Sequence, residues 1–537
     1  MRIPILIRMS RLRRAAAAWC GAAALALAAL AAPVAAQTLR VASAFDPQTM
    51  DPHALALLYH SRISYQIYDS LVHRNEAFKL EPGLATSWQM TSPTSWRFQL
   101  RAGVKFHDGT PFTADDVVFS VQRILAPPSQ RSFQLKGVTA ARKVDELTVD
   151  LLTEAPDAVL PEKLAFLAIM SRAWSEKHGV QRAQDFNGKQ ETHAVRHANG
   201  TGPFRLERYE PDVRTVLKRH PNWWGAADKR NGNVQEVVFV SVKSDATRLA
   251  ALASGEVDLV LDPPYQDVAR LKADPRIALT QVPDLGQQYF TFDQSRDELE
   301  WSDVKGRNPF KDLRVRQAVY HAVNVPLIVD KVLRGRGRKA AGGRARRASP
   351  PPTVTGRPRW ARPARARKLL AEAGYPNGFA ITLDCVNVAW RENVCQAAAA
   401  MLTQVGIRTT LRSSPTNQFF PKLTQATASF VEFGWSASPD AWASLNGLFR
   451  TFDRSGLGTF NAGRYSNPKL DTLIDNIRTE PDLTRRRAMV TTALRLVADD
   501  LPYIPLYSRT LNWAMQRKVS LVQWPNDLVE LRWVKIR

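Results

Sequence analysis

Residues Pro82 to Leu125 read PGLATSWQMTSPTSWRFQLRAGVKFHDGTPFTADDVVFSVQRIL, and this stretch decides the fold. Trp96, Phe98 and Leu100 alternate with Ser95, Arg97, Gln99 and Arg101, the period of a strand with one buried face. Asp108-Gly109 predicts a tight turn, because glycine tolerates positive φ without a Cβ clash. Thr113 stands three residues before Asp116, the spacing of a capping box, in which short polar side chains satisfy helix N–H groups that have no internal partner. Val117, Val118, Val121 and Ile124 supply the apolar face of the helix that follows. The stretch is therefore a strand, a turn and a capped helix. Its residues suit scaffold rather than catalysis.

With 537 residues the chain exceeds the size at which one hydrophobic core stops growing, so several domains are expected. Its 45% hydrophobic content and 14 tryptophans exclude a disordered chain. Residues 1–36 read as a secretory leader. Arg2, Arg8, Arg11, Arg13 and Arg14 form the basic start, Ala15 to Leu30 the apolar run, and Val34-Ala35-Ala36 a small-residue cleavage site before Gln37. The run is short and Ala-dominated, which disfavours a membrane anchor. Trp19 precedes Cys20, unlike a lipoprotein attachment box. A periplasmic location is expected.

The net charge of +24 suggests nucleic acid until it is located. The leader carries five of these charges, and residues 331–371 carry 14 Lys/Arg and no acid, which leaves +5 for the rest. A nucleic-acid face spreads its charge over several elements, so no nucleic-acid partner is expected. Cleavage leaves two cysteines, Cys385 and Cys395, which either pair in an oxidising compartment or lie as buried thiols. Both readings stand at this point.

Along the chain, Thr38 to Phe45 reads as a strand and Tyr59 to Leu71 as a helix; Asp145 to Thr153 reads as a further strand. Gly200-Thr201-Gly202-Pro203-Phe204 is a tight turn without the Gly-Lys-Ser/Thr ending of a phosphate loop. SVKSDATRLAALASGEVDLVL, Ser241 to Leu261, has a strand–helix–strand order. Asp312 and Asn467 stand where helix caps belong, with Pro468 at a first helical position. Gly335 to Arg367 lacks apolar periodicity and reads as an exposed Arg/Pro-rich loop. Residues 341–364 within it are either divergent or the product of a reading-frame disturbance.

LRAGVKFHDGTPFTADDVVFS resembles the most recognisable segment of the large periplasmic solute-binding proteins of peptide, nickel and glutathione-type ABC importers, family 5. GTGPF, HPNWWG (His220 to Gly225), VRQAVYHAV (Val315 to Val323), SNP (Ser466 to Pro468) and DDLPYIPLY (Asp499 to Tyr507) follow in the family's order. The resemblance implies an α/β, two-lobed periplasmic-binding-protein fold of type II, large cluster, with an extra subdomain in lobe one and a ligand cleft between the lobes. It places lobe one at 37–55, 200–283 and 505–537, its subdomain at 56–199, and lobe two at 284–504. It further implies capture of a small solute, a di- or oligopeptide or a glutathione-like compound, and delivery to a membrane permease and its ATPase. A monomer without cofactor is expected.

The residues expected at the ligand are Trp435 as a wall, Ser438 and Asp440 beside it, and Trp390 and Arg391 opposite. Aromatic walls give contact area at low entropy cost, and the planar guanidinium of Arg391 suits a carboxylate. In dipeptide binders an Asp three residues after the Trp meets the peptide's ammonium; here that position is Ser438, and Asp440 is the nearest acid. Trp223 and Trp224 read as core. No nucleophile elbow, Walker loop, HExxH helix or zinc-type cysteine spacing is present, so no enzyme is expected. The alternatives are an exported enzyme on the same fold and a binder serving chemosensing. His107 beside Asp108 points away from it on an extended strand. His193 and His197 are spaced i, i+4, yet they run straight into a glycine turn with only Glu191 near, and read as a helix end rather than a metal site.

Overall fold

A computed structural model describes residues 37–335, 337–339, 361–415, 418–419, 422–423, 425–435, 440–453 and 457–537. The leader, Ser438 and most of the Arg/Pro-rich stretch, including 341–360, lie outside the described residues.

One strand, Tyr503–Gln516, ties the largest sheet together. Across that sheet the order is Ile407–Ser414, Phe379–Val386, Phe430–Trp435, Gln287–Phe292, Tyr503–Gln516, Leu259–Leu261, Thr38–Ser43, Glu236–Ser241, Arg214–Arg219 and Phe204–Glu210. The first part of the long strand pairs antiparallel with Gln287–Phe292, Thr291 standing opposite Tyr503 and Gln288 opposite Tyr507. Its second part pairs with Ile277–Pro283 and Leu259–Leu261. The strand is buried from Tyr503 to Tyr507 and again from Leu511 to Met515, while Ser508, Arg509 and Thr510 between them are half-exposed. Two cores thus share one strand, and a polar interruption marks the passage between them. One core gathers Leu39, Val41, Phe204, Val237, Leu259 and Trp513; the other gathers Phe290, Phe292, Phe310, Val319, Leu383 and Ile504.

The opening stretch builds a separate four-stranded sheet in the order Ala85–Ser92, Ser95–Leu100, Thr148–Thr153, Val138–Asp145. Phe98 and Leu100 are buried with Val117, Val121 and Ile124 of the helix Ala114–Leu125. The capping box forms: the Asp116 carboxylate accepts from Thr113 N at 2.9 Å, and the Thr113 hydroxyl accepts from the helix's first turn. The Asp108-Gly109 turn docks on the GTGPF turn. His107 N donates to the Gly200 carbonyl at 2.8 Å, and Asn199 Nδ2 donates to Asp108 at 2.9 Å. A Cβ on Gly200 would overlap the Ile67 carbonyl oxygen, so this close approach requires glycine.

Three expected elements differ. The helix read over Tyr59 to Leu71 spans Leu58–Ile67, and Tyr68 after it has an extended backbone. Residues 145–153 are not one strand: Asp145 ends one and Thr148 begins its partner, because the Asp145 carboxylate accepts from Leu147 N and closes a turn. The stretch 335–367 is not loop throughout. Gly337–Lys339 pairs with the long strand, and the helix Pro363–Glu372 starts inside the stretch with Pro363 in its first turn and Ala366 buried.

Candidate functional site

Beside the polar interruption of the long strand lies a cavity of about 630 Å³. Arg509, Thr510, Leu511 and Asn512 form its floor. Asp262, Pro263, Pro264 and Tyr265, which follow the strand Leu259–Leu261, form one wall with Asp245 at the start of the helix Asp245–Ser254. Lys331 to Arg334, Val388, Trp390 and Asn393 form the other. The two walls come from the two cores, and the floor is the strand they share.

The indole of Trp390 meets the Tyr265 ring edge-on, with centroids 6.4 Å apart, and the Arg509 guanidinium stands 5.9 Å from the indole centroid. Burial pushes the Tyr265 hydroxyl up to about 12, so it stays a neutral donor at physiological pH. Arg509 donates to Asp284 at 2.7 and 2.9 Å; burial opposes its charge and Asp284 more than offsets this, so the guanidinium stays charged. Asp262 is gripped by both Nη atoms of Arg62, at 2.7 and 3.2 Å, and Arg62 also pairs with Asp527 at 2.8 Å. Burial raises the Asp262 carboxyl, but Arg62 brings it below its ordinary value. The site offers an aromatic corner, the anions Asp262 and Asp245, and the cations Arg509, Arg334 and Lys331. That suits a small solute carrying charges of both signs.

Of the residues expected at the ligand, Trp390 lines this cavity. Arg391, the next residue, turns inward instead. Its Nε donates to Glu432 Oε2 at 2.7 Å and its Nη2 to the Glu432 carbonyl at 3.2 Å. Glu432 is fully buried, so Arg391 neutralises an internal charge and braces Trp390 from behind. Trp435 packs on Phe460 and donates its indole N–H to Ser444 at 3.1 Å, away from the cavity lining. Asp440 caps the helix Ala441–Phe449 by accepting from Trp442 N at 2.7 Å, and lies 3.7 Å from Arg486. Burial raises its carboxyl and Arg486 partly counters this. Ser438 lies outside the described residues. Trp223 and Trp224 are held by Asp69, which accepts from both indoles.

Asp440 belongs to a second junction between the small-sheet region and the 440–486 segment. Val159 is buried among Phe433, Trp442 and Ile474. Ala158 N donates to the Arg478 carbonyl and Arg486 donates to the Ala158 carbonyl, at 3.1 and 3.3 Å. Lys163 pairs with Asp157 at 2.5 Å and lies 4.8 Å from the centroid of Trp442. A short polar loop thus clips one region of the chain to the other.

Sequence reasoning missed Tyr265, Asp262 and Arg509. Two signals pointed to them: the Asp-Pro-Pro-Tyr turn just past a buried strand, and the Ser-Arg-Thr break inside an otherwise apolar one.

Cys385 and Cys395 are joined by a disulfide. Glu432 comes near both sulfurs, but a bonded pair offers no thiolate to a metal. The bond closes the loop that carries Val388, Trp390 and Asn393, so it fixes one cavity wall. Replacing both cysteines by alanine is expected to cost about 2–3 kcal/mol from the lost chain constraint. Urea unfolding of the variant against the oxidised protein measures this, and an unchanged midpoint would show that the wall does not depend on the bond.

The family profile described as bacterial extracellular solute-binding proteins, family 5, middle region, matches residues 79–456. A heme-binding protein A of Haemophilus influenzae is 29% identical over 484 residues, covering 82% of each chain. A glutathione-binding protein of Escherichia coli O157:H7 is 26% identical over 503 residues, covering 90% of this chain and 92% of its own. Among solved structures, the periplasmic binding protein DppA of Helicobacter pylori, in complex with the peptide STSA, superposes with a TM-score of 0.76 at 23% identity. That superposition covers 93% of this chain and 98% of the other. It shows a shared fold.

Proposed function

The chain belongs to the bacterial extracellular solute-binding proteins of family 5, and from that membership we propose that it captures a short peptide or glutathione-like solute for an ABC importer. It binds without chemical change, and lobe closure about the Ser508–Thr510 interruption presents the solute to the permease. The observation that carries this reading is the cavity of about 630 Å³, lined from both cores and holding groups of both charges. Its size falls in the range of small-molecule sites, roughly 300–1,000 Å³. In this reading the Trp390–Tyr265 corner takes an apolar side chain, Asp262 or Asp245 faces an ammonium, and Arg509 faces a carboxylate. Closure excludes water and strengthens these few polar contacts.

Thermal-shift screening followed by calorimetry tests it, with a dipeptide panel, glutathione and hemin as probes. A saturable shift with a peptide or glutathione, the ligand being recovered intact, is expected. Trp390→Ala should weaken that binding about tenfold, the roughly 1.4 kcal/mol of a lost aromatic contact. A shift with hemin alone would overturn the peptide class, and steady product formation would overturn the binding role itself.

A further inference from the structure

The cavity carries a charge imbalance at the wall that the first core supplies. Asp245 and Asp262 line that wall, Arg509 lies on the floor, and Arg62, Arg248, Asp284 and Asp527 stand against them. Four carboxylates thus meet three guanidiniums. Two of the pairs are closed. Arg248 is taken by Asp245, three residues before it, and Arg509 by Asp284. The third guanidinium is divided: Arg62, buried, lies 2.7 Å from Asp262 and 2.8 Å from Asp527, so one positive charge serves two carboxylates. The cations Lys331 and Arg334 belong to the opposite wall, where Lys331 already meets Asp330 at 3.2 Å.

Asp262 presents the unmatched charge to the cavity. Asp527 is buried, and its other oxygen accepts from the Trp513 indole at 2.8 Å. The Asp262 side chain is 38% exposed and lines the cavity. A carboxylate has about four acceptor positions, and Arg62 fills two of those on Asp262, which leaves room for a further donor. Burial raises the Asp527 carboxyl, Arg62 pulls it down and Asp262 pushes it up again, as expected where positive charge is short. Asp262 is also fixed in place. Its φ of +58° sets a left-handed turn between the strand Leu259–Leu261 and Pro263, and Arg62 reaches it from the helix Leu58–Ile67. Asp440, the acid expected from the sequence, caps a helix and is not part of the cavity lining.

Resting on the reading of this cavity as the solute cleft, we propose that Asp262 receives the solute's ammonium group and sets a specificity for free amines, with Arg62 and Asp527 as positioning residues behind it. The solute's charge then completes the count, four against four. An ammonium taken out of water needs such a partner, and a charged hydrogen bond supplies it. Tyr265 stands three residues after Asp262 and meets Trp390 edge-on, so the same corner offers aromatic faces to a cation. A solute whose amine is acylated brings no charge and leaves the wall one short.

Calorimetry with alanyl-phenylalanine and its N-acetylated form tests the assignment on the parent, Asp262→Asn and Asp527→Asn. The parent should prefer the free amine at least about tenfold, the weight of one hydrogen bond to a charged group. In D262N the preference should vanish, because the free dipeptide binds more weakly while the acetylated form binds as before. In D527N the count balances without the solute, so the preference should fall although Asp527 does not touch it. A merely structural role would weaken both probes alike, and melting of the solute-free variants checks their folding independently. Equal affinity of the parent for the two forms, or a preference unaltered in D262N, would overturn the assignment and leave the peptide reading standing. Loss of the preference in D245N alone would overturn it by moving the contact to the other acid. Binding of hemin and of neither dipeptide would overturn both.

Discussion

Between pH 7 and pH 4 the protein is expected to lose about 3 kcal/mol of folding stability for each of two buried histidines, His53 and His60. Each ring is locked neutral by its partners. His53 Nε2 meets the Ala168 carbonyl at 2.9 Å while its Nδ1 faces Arg123 Nη1 at 3.0 Å. His60 Nε2 meets the Asp51 carbonyl at 3.0 Å while its Nδ1 faces Arg131 Nη2 at 3.5 Å. The ring therefore donates on one side and accepts from a guanidinium on the other. A second proton would set an N–H against a cation. Burial, and then Arg123 for His53 and Arg131 for His60, lowers both groups to about 3.

Above pH 6.5 the rings are neutral in both the folded and the unfolded chain, and contribute no pH dependence. Below it the unfolded chain gains protons that the folded protein cannot take until about pH 3, so stability falls as pH falls through this window. Asp51, which the same Arg123 holds below the ordinary carboxylate range against burial, adds to the loss at the acid end. Urea unfolding at pH 7, 5.5 and 4 measures the slope. Uptake of about two protons on unfolding near pH 5 should accompany it. His53→Gln keeps a polar side chain without a titrating ring, so it should remove about half of the slope. A flat profile from pH 6.5 to 4.5 would show that the two rings are not held neutral.

The scaffold was legible in the sequence because each of its signals is local. Alternation put Phe98 and Leu100 in a core, Thr113 and Asp116 capped their helix, and Asn467 caps the helix Pro468–Thr479 through Lys469 N and Leu470 N. The cavity was only partly legible, since its walls are joined by pairing between residues more than a hundred positions apart. Trp390, expected at the ligand as an aromatic wall, lines the cavity. Arg391 misled because a guanidinium suits a ligand carboxylate and a buried glutamate equally, and only the pairing of Phe290 with Glu432 across two strands shows which it meets. Arg509 was hidden by its own pairing partners: in a strand that reads Leu-Tyr-Ser-Arg-Thr-Leu, a three-residue polar break looks like an edge until both halves prove buried.

Arg391→Met is therefore expected to destabilise the fold by about 3–5 kcal/mol, the cost of leaving a buried charge without its partner. Glu432 is completely buried, burial already raises its carboxyl, and Arg391 is the group that opposes this. Its Oε1 atom has no hydrogen-bond partner among the described residues, so no second donor stands ready. In the variant Glu432 should hold its proton to higher pH than in the parent, so stability should decline more steeply as pH rises than it does in the parent. R391M/E432Q removes both charges and should recover much of the loss, since an uncharged pair can be nearly neutral where a broken one is not. Arg391→Lys should recover less, because one ammonium cannot reach both the carboxylate and the backbone carbonyl that the planar fork spans. Chemical unfolding across this set, with solute affinity measured on each folded variant, separates two roles for the residue. A bracing role predicts a stability loss that E432Q relieves. A direct ligand role predicts lost affinity at unchanged stability, with no relief from the second substitution, and that pattern would reverse the assignment.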